Sequence, residues 1–147
     1  MTTINIRRAQ AGDAAEIARL CEQLGYAATT EEIIERLTGS LNNEQHAIYV
    51  GELEAVPTKL AGWIHVVGRY LLESAPFVEV GGLVVDEQIR GTGLGRRLLE
   101  QGEQWGREQK YEMIRLRSAG YRLEAHQFYK HVGYDNFKMQ QVFQKRL

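Results

Sequence analysis

Leu83-Val84-Val85-Asp86-Glu87-Gln88-Ile89-Arg90-Gly91-Thr92-Gly93-Leu94-Gly95-Arg96-Arg97-Leu98-Leu99 decides the fold. Its first residues continue an apolar, β-branched run from Phe77 and predict a buried strand. Its last residues open an apolar stripe through Leu94, Leu98 and Trp105, which predicts a helix running to about Lys110. Between strand and helix lie Gly91, Gly93 and Gly95. A glycine turn in that position gathers main-chain N–H groups and the positive end of a helix on one point, which makes an anion site. Arg90, Arg96 and Arg97 add positive charge with no acid among them, and a diphosphate suits this chemistry. The alternative is a tight helix start carrying exposed arginines.

Two common phosphate loops do not fit. A Walker A loop needs a Gly-Lys pair and the chain contains none, which disfavours ATP or GTP hydrolysis. A dinucleotide fingerprint needs Gly-x-Gly-x-x-Gly after the first strand, whereas Arg96 stands at the third required site and several elements precede the turn.

Upstream, the strand from Phe77 to Val85 is interrupted by Gly81-Gly82, which predicts a bulge or a close backbone approach. Ala47 to Leu53 and Leu60 to Val67 predict an antiparallel hairpin joined by a polar loop containing Pro57. Ile4 and Ile6 predict a short first strand. Asp13, with Glu16 reaching back, is expected to cap a helix whose buried stripe is Ile17, Leu20, Cys21 and Leu24, ending at Gly25. A second helix, capped by Thr29 or Thr30, carries Ile33, Ile34 and Leu37 and is expected to end near Gly39. Downstream, Met113 to Ser118 predicts a strand parallel to its predecessor, and Leu123 to His131 a helix with Ala125, Phe128, Tyr129 and Val132 on one stripe. The tail from Tyr134 to Gln144 alternates weakly and reads as one or two final strands.

The chain of 147 residues is 44% hydrophobic and 25% charged, which fits one mixed α/β domain. A formal net charge of -1 provides no broad basic field for nucleic acid or an anionic membrane surface. Cys21 is the single cysteine, so neither an intramolecular disulfide nor a cysteine metal site is expected. No His-Glu-x-x-His pattern occurs, and no metal is expected. No export signal or run long enough to span a bilayer is legible, so a cytoplasmic location is expected.

Arg90-x-x-Gly93-x-Gly95, preceded by Leu83-Val84-Val85-Asp86 and followed by Leu98-Leu99, resembles the acetyl-CoA pyrophosphate loop of the GNAT superfamily of N-acetyltransferases. Ala125-His126-Gln127-Phe128-Tyr129-Lys130-His131-Val132-Gly133-Tyr134 is similar to that family's later Ala, Phe-Tyr and Gly-Tyr/Phe signature. The likeness covers essentially the whole chain. It implies an α/β (α+β) fold with a mixed, mostly antiparallel sheet, a bulged and splayed central strand pair and flanking helices, in a single N-acetyltransferase domain over residues 1–147. It implies that the main chain of Leu83, Val84 and Val85 holds the pantetheine arm. Arg90, Gly91, Thr92, Gly93, Leu94, Gly95 and Arg96 would hold the pyrophosphate. Arg122 stands where the family often has Asn, where it would contact a CoA phosphate, and His126 would face CoA.

Acetyl transfer from a thioester to an amine needs a neutral amine, a stabilised oxyanion and a proton for the departing thiolate. Tyr129 resembles the family's general acid, a phenol of pKa about 10 facing a thiol of about 8.5. Its alternative is a core tyrosine. Glu79 is the candidate base by resemblance to a strand carboxylate, against a solvated or paired glutamate. His65 is a second candidate base, against a satisfied core histidine, and a main-chain N–H near Val85 is the candidate oxyanion donor. Cys21 on its apolar stripe reads as inert, so direct transfer in a ternary complex is expected. The expected function is acetyl-CoA-dependent acetylation of a primary amine, with a small-molecule acceptor. The alternatives are a non-catalytic acyl-CoA-binding regulatory module and a protein N-terminal or lysine acetyltransferase. Val142 and Phe143 are compatible with a homodimer of the kind many members form through later strands.

Overall fold

A computed structural model describes residues 2–147. The chain divides into a larger unit through Leu116 and a smaller one from Arg117 to Leu147. The larger unit contains β1 (Ile4–Arg8), a 3-10 turn (Ala11–Asp13), α1 (Ala14–Leu24), α2 (Thr30–Leu41), β2 (His46–Leu53), β3 (Val56–Arg69), β4 (Phe77–Val85), α3 (Leu94–Glu108) and β5 (Ile114–Leu116). The strands lie in the order β1-β2-β3-β4-β5, antiparallel except for the β4 and β5 pair. That parallel pair follows from α3, which returns the chain to the end of the sheet where β4 began. The sheet is therefore mixed and mostly antiparallel, as expected.

Alternation along the strands gives the sheet two apolar faces. On one face α3 buries Leu94, Leu98, Leu99 and Trp105 against Ile64, Val66 and Val78. Burying each leucine stabilises the fold by roughly 2 kcal/mol. On the other, α1 and α2 cover Ile48, Val50, Trp63 and Val84 with Ile17, Leu20, Cys21, Ile33 and Leu37. The Cys21 thiol is pushed up by burial, in keeping with the inert reading.

Several local expectations are corrected by longer-range partners. Asp13 does not cap α1 with its side chain; its carboxylate accepts from the Gln10 N–H at 2.7 Å and from both terminal nitrogens of Arg7 at 2.8 and 2.9 Å. Glu16 turns instead to Arg19 and to the Leu60 N–H, at 2.8 and 3.0 Å. A charge-assisted, two-pronged bond outcompetes a simple cap. α2 is capped by Thr29 with the reciprocal Glu32 bond, but it runs through Gly39 to Leu41. Pro57 lies within β3 and not in a loop: the register passes from Leu53↔Val56 to Glu52↔Leu60, so residues 57–59 bulge out where a missing N–H does no harm. β5 is confined to the residues that pair with β4, shorter than expected.

The smaller unit contains α4 (Leu123–His131), ended by Gly133 at φ 100°. Its least exposed residues include the expected Ala125, Phe128, Tyr129 and Val132. Residues 134–147 form no strand among the described residues, contrary to expectation. The weak alternation leaves Phe137, Met139, Val142 and Phe143 exposed, and apolar pattern without a hydrogen-bonded neighbour does not make a strand.

Candidate functional site

The bulge in β4 sets the site. Its register passes from His65↔Gly82 to Val66↔Val80, which leaves Gly81 without an opposite residue on β3. On the other side, pairing with β5 ends at Val80↔Leu116. The Asp86 N–H donates to the Ala61 carbonyl at 2.7 Å, so alternation turns the main-chain groups of Leu83 and Val85 away from β3. Those groups form a strand edge that an extended ligand can pair with. Val84 is buried between them, its side chain in the core under α1.

Asp86 anchors the turn that follows. It is 1% exposed, and its carboxylate accepts from Arg19 at 2.9 Å and the Gln88 N–H at 3.0 Å. Burial pushes this carboxyl up, but the Gln88 and Arg19 bonds together hold it below the usual carboxylate range. Asp86→Ala leaves the Arg19 guanidinium short of a partner and is expected to cost roughly 3 kcal/mol in denaturant unfolding. A loss under about 0.5 kcal/mol, within the usual surface range, would show that the turn does not depend on it.

The turn then ends at the N-terminus of α3. Gly91 and Gly93 have φ of 84° and 82°, a left-handed conformation that favours glycine. Gly93 is the N-cap and supplies no side chain, so the first N–H groups of α3, from Leu94 through Arg96, have no cap bond. A Cβ placed on Gly91 or Gly93 meets nothing within 4 Å, so the space above them is open. Thr92 Oγ1 donates to the Ile89 carbonyl at 2.9 Å and holds the turn closed. Arg90 and Gly91 are exposed, Gly95 is half-buried, and Arg96 pairs on the surface with Glu100 at 3.1 Å. Arg97 differs from expectation: it donates to the Ile4 carbonyl at 3.0 Å and so serves β1 and not the turn.

On the α1 and α2 face, beside the bulge, stand Glu79, His65 and His46. Glu79 pairs in register with Val67, on the face opposite Val78 and Val80, and its carboxylate accepts from Arg69 at 2.9 Å. His65 Nε2 lies 2.9 Å from His46 Nδ1, with the two rings stacked. His46 escaped notice in the sequence because only the β2 and β3 register, with Ile48 opposite His65, makes it the diagonal neighbour. The neighbouring Trp63 Nε1 is buried without a protein partner among the described residues.

Burial pushes the His65 imidazole down to about 4, with His46 and Arg69 adding to the effect. The unfolded chain binds this proton near pH 6.5. It therefore holds more protons than the folded chain between about 6.5 and 4, and stability falls as pH drops through that window. The expected loss at pH 4 is roughly 3 kcal/mol. Urea unfolding at stepped pH reads it, and His65→Gln should flatten the profile over that window. An equally steep profile in the variant would assign the effect elsewhere.

In the smaller unit, the Tyr129 ring lies 5.4 Å from Phe128 and 6.2 Å from Tyr134, and its carbonyl accepts from the Tyr134 N–H. Burial pushes the phenol above its ordinary value, while Arg122 pulls it back. His126 Nε2 lies 2.9 Å from the Ala119 carbonyl, and the Arg122 N–H donates to the same oxygen. Among the described residues no group of three metal-ligating side chains is present, and no helix is long and apolar enough to cross a membrane.

An open strand edge here leads into a glycine-built helix N-terminus, an arrangement whose free main-chain groups can take an extended ligand carrying a compact polyanion. The family model for the acetyltransferase (GNAT) family matches residues 13–134, and the chain belongs to that family, whose members use acetyl-CoA. The fold is similar to that of an aminoglycoside N-acetyltransferase solved in complex with CoA, with TM-score 0.87 and 14% identity over 100% of this chain and 97% of that one. It is also similar to glucosamine-6-phosphate N-acetyltransferase from Arabidopsis thaliana, with TM-score 0.81 and 23% identity over 97% and 98% of the two chains. An aminoglycoside 6'-N-acetyltransferase from Acinetobacter baumannii gives TM-score 0.83 and 13% identity over 99% of each chain. At these identities the likeness is one of fold. No curated protein sequence matches the chain.

Proposed function

We propose that the protein transfers the acetyl group of acetyl-CoA to a primary amine of a small molecule, directly and within a ternary complex. The observation that carries this is the uncapped, glycine-built start of α3 placed at the end of a bulged strand, in a chain of the acetyltransferase family. The main-chain N–H groups from Gly91 to Arg96 hold the pyrophosphate, with Arg90 adding charge. The edge formed by Leu83, Val84 and Val85 pairs with the pantetheine arm, and an N–H near Val85 polarises the thioester carbonyl. Tyr129 gives its proton to the departing thiolate, and Arg122 and His126 contribute to CoA binding. Glu79 and His65 are the side chains on the bulge face able to take the amine proton.

The whole chain acts as one catalytic domain in a cytoplasmic enzyme. Exposed Val142 and Phe143 support a homodimer. The test is thiol release from acetyl-CoA with a panel of primary amines, including neamine, glucosamine 6-phosphate and a lysine peptide, against a control without amine. Amine-dependent release with the small molecules is the expected result. Release only with the peptide would favour a protein acetyltransferase, and binding of acetyl-CoA without any release would favour a regulatory module.

A further inference from the structure

We infer that His65 and His46 form a two-imidazole relay that takes the proton from the attacking amine, His65 accepting it at Nδ1 and His46 receiving the His65 Nε2 proton in turn. The inference rests on the acetyl-transfer reading above and decides which group beside the bulge acts.

Geometry separates His65 from Glu79. The Glu79 carboxylate is held by Arg69 at 2.9 and 3.2 Å, so taking a proton there would weaken a formed ion pair. His65 uses Nε2 on His46 and has no protein partner for Nδ1 among the described residues. That Nδ1 sits over Gly81, 3.4 Å from where a Cβ would stand, at the residue where β4 leaves its regular register. Gly81 is exposed and has no side chain to cover the nitrogen. The groups that bear on His65 electrostatically are His46 from β2 and Arg69 from its own strand, with Glu79 of β4 partnering Arg69. Burial, with His46 and Arg69 adding to it, keeps the ring neutral at pH 7, so one nitrogen carries a lone pair.

A single imidazole that protonates so reluctantly is a poor resting place for a proton. The 2.9 Å contact with half-buried His46 supplies the outlet. The neutral amine's lone pair forms the N–C bond, and the carbonyl π pair moves to oxygen. The N–H bond then breaks and its proton goes to His65 Nδ1. The His65 Nε2–H proton passes to His46 Nδ1, and His46 gives its Nε2 proton to water. When the oxyanion reforms the carbonyl, the C–S bond breaks with its pair on sulfur, and the acid proposed above protonates the thiolate. Water then reprotonates His46 Nε2, the His46 Nδ1 proton returns to His65 Nε2, and water takes the His65 Nδ1 proton, which restores both tautomers with one net proton passed from the amine to water.

Nitrogen-15 NMR of the wild-type protein at pH 7 tests the resting state without any acceptor. The expected spectrum shows His65 protonated at Nε2 and bare at Nδ1; a proton on Nδ1 would overturn the relay. In the amine assay, using the panel member turned over fastest, His65→Gln should lower kcat/KM roughly 100-fold. His46→Gln, altering a positioning residue, should lower it roughly 10-fold and change the shape of the pH–rate profile, with calorimetric acetyl-CoA affinity within about twofold of wild type in both. Wild-type kcat/KM in His65→Gln would overturn the relay alone. No turnover of any amine by the wild-type protein would sink the acetyl-transfer reading and the relay with it.

Discussion

Gly93→Glu is expected to weaken acetyl-CoA binding roughly 1000-fold in calorimetric titration. Two effects add. The residue sits at φ 82°, where an L side chain costs about 1–2 kcal/mol. A carboxylate there also faces the bound diphosphate across a few ångströms, and like charges at that range cost about 3 kcal/mol near a protein surface. A Cβ at Gly93 meets no protein atom within 4 Å, so an alanine there does not crowd the free turn. Gly93→Ala, which carries the conformational cost alone, should therefore lose only about 10-fold. This graded pair distinguishes electrostatic rejection of the ligand from collapse of the turn. Unchanged affinity in the glutamate variant would remove the turn as the pyrophosphate site.

Tyr129→Phe is expected to lower kcat by roughly 100- to 10,000-fold while acetyl-CoA affinity stays within about twofold. A phenol must keep its proton until the thiolate forms. Burial raises the Tyr129 phenol above its ordinary value, against the pull of Arg122, so it stays protonated at neutral pH. The donor is then lost only on the alkaline side, and the wild-type rate should not fall between pH 7 and 9 through this group. Steady-state kinetics beside calorimetry make the test, and full turnover in the phenylalanine variant would exclude Tyr129 as the acid.

Features built from neighbours in the chain were legible in the sequence. The apolar run into Val85, the glycine turn and the stripe of α3 lie within a few residues of one another, and each is written in side-chain type or periodicity. The Gly81 bulge was legible for the same reason. Features decided by a distant partner were not. Asp13 looks like a cap until β1 supplies Arg7, and Arg97 looks like part of the anion site until β1 offers the Ile4 carbonyl. His46 carries no signal of its own, because its meaning depends on the register that sets it against His65. The tail misled in the opposite sense: its alternation resembles a strand, but a strand also needs a neighbour to bond with.

The most direct measurement is a crystal structure of the protein with CoA bound. The pyrophosphate oxygens are expected within hydrogen-bonding distance of main-chain N–H groups between Gly91 and Arg96, with the pantetheine arm paired along Leu83 to Val85. CoA bound away from the α3 N-terminus, or with its arm directed away from that edge of β4, would contradict the account.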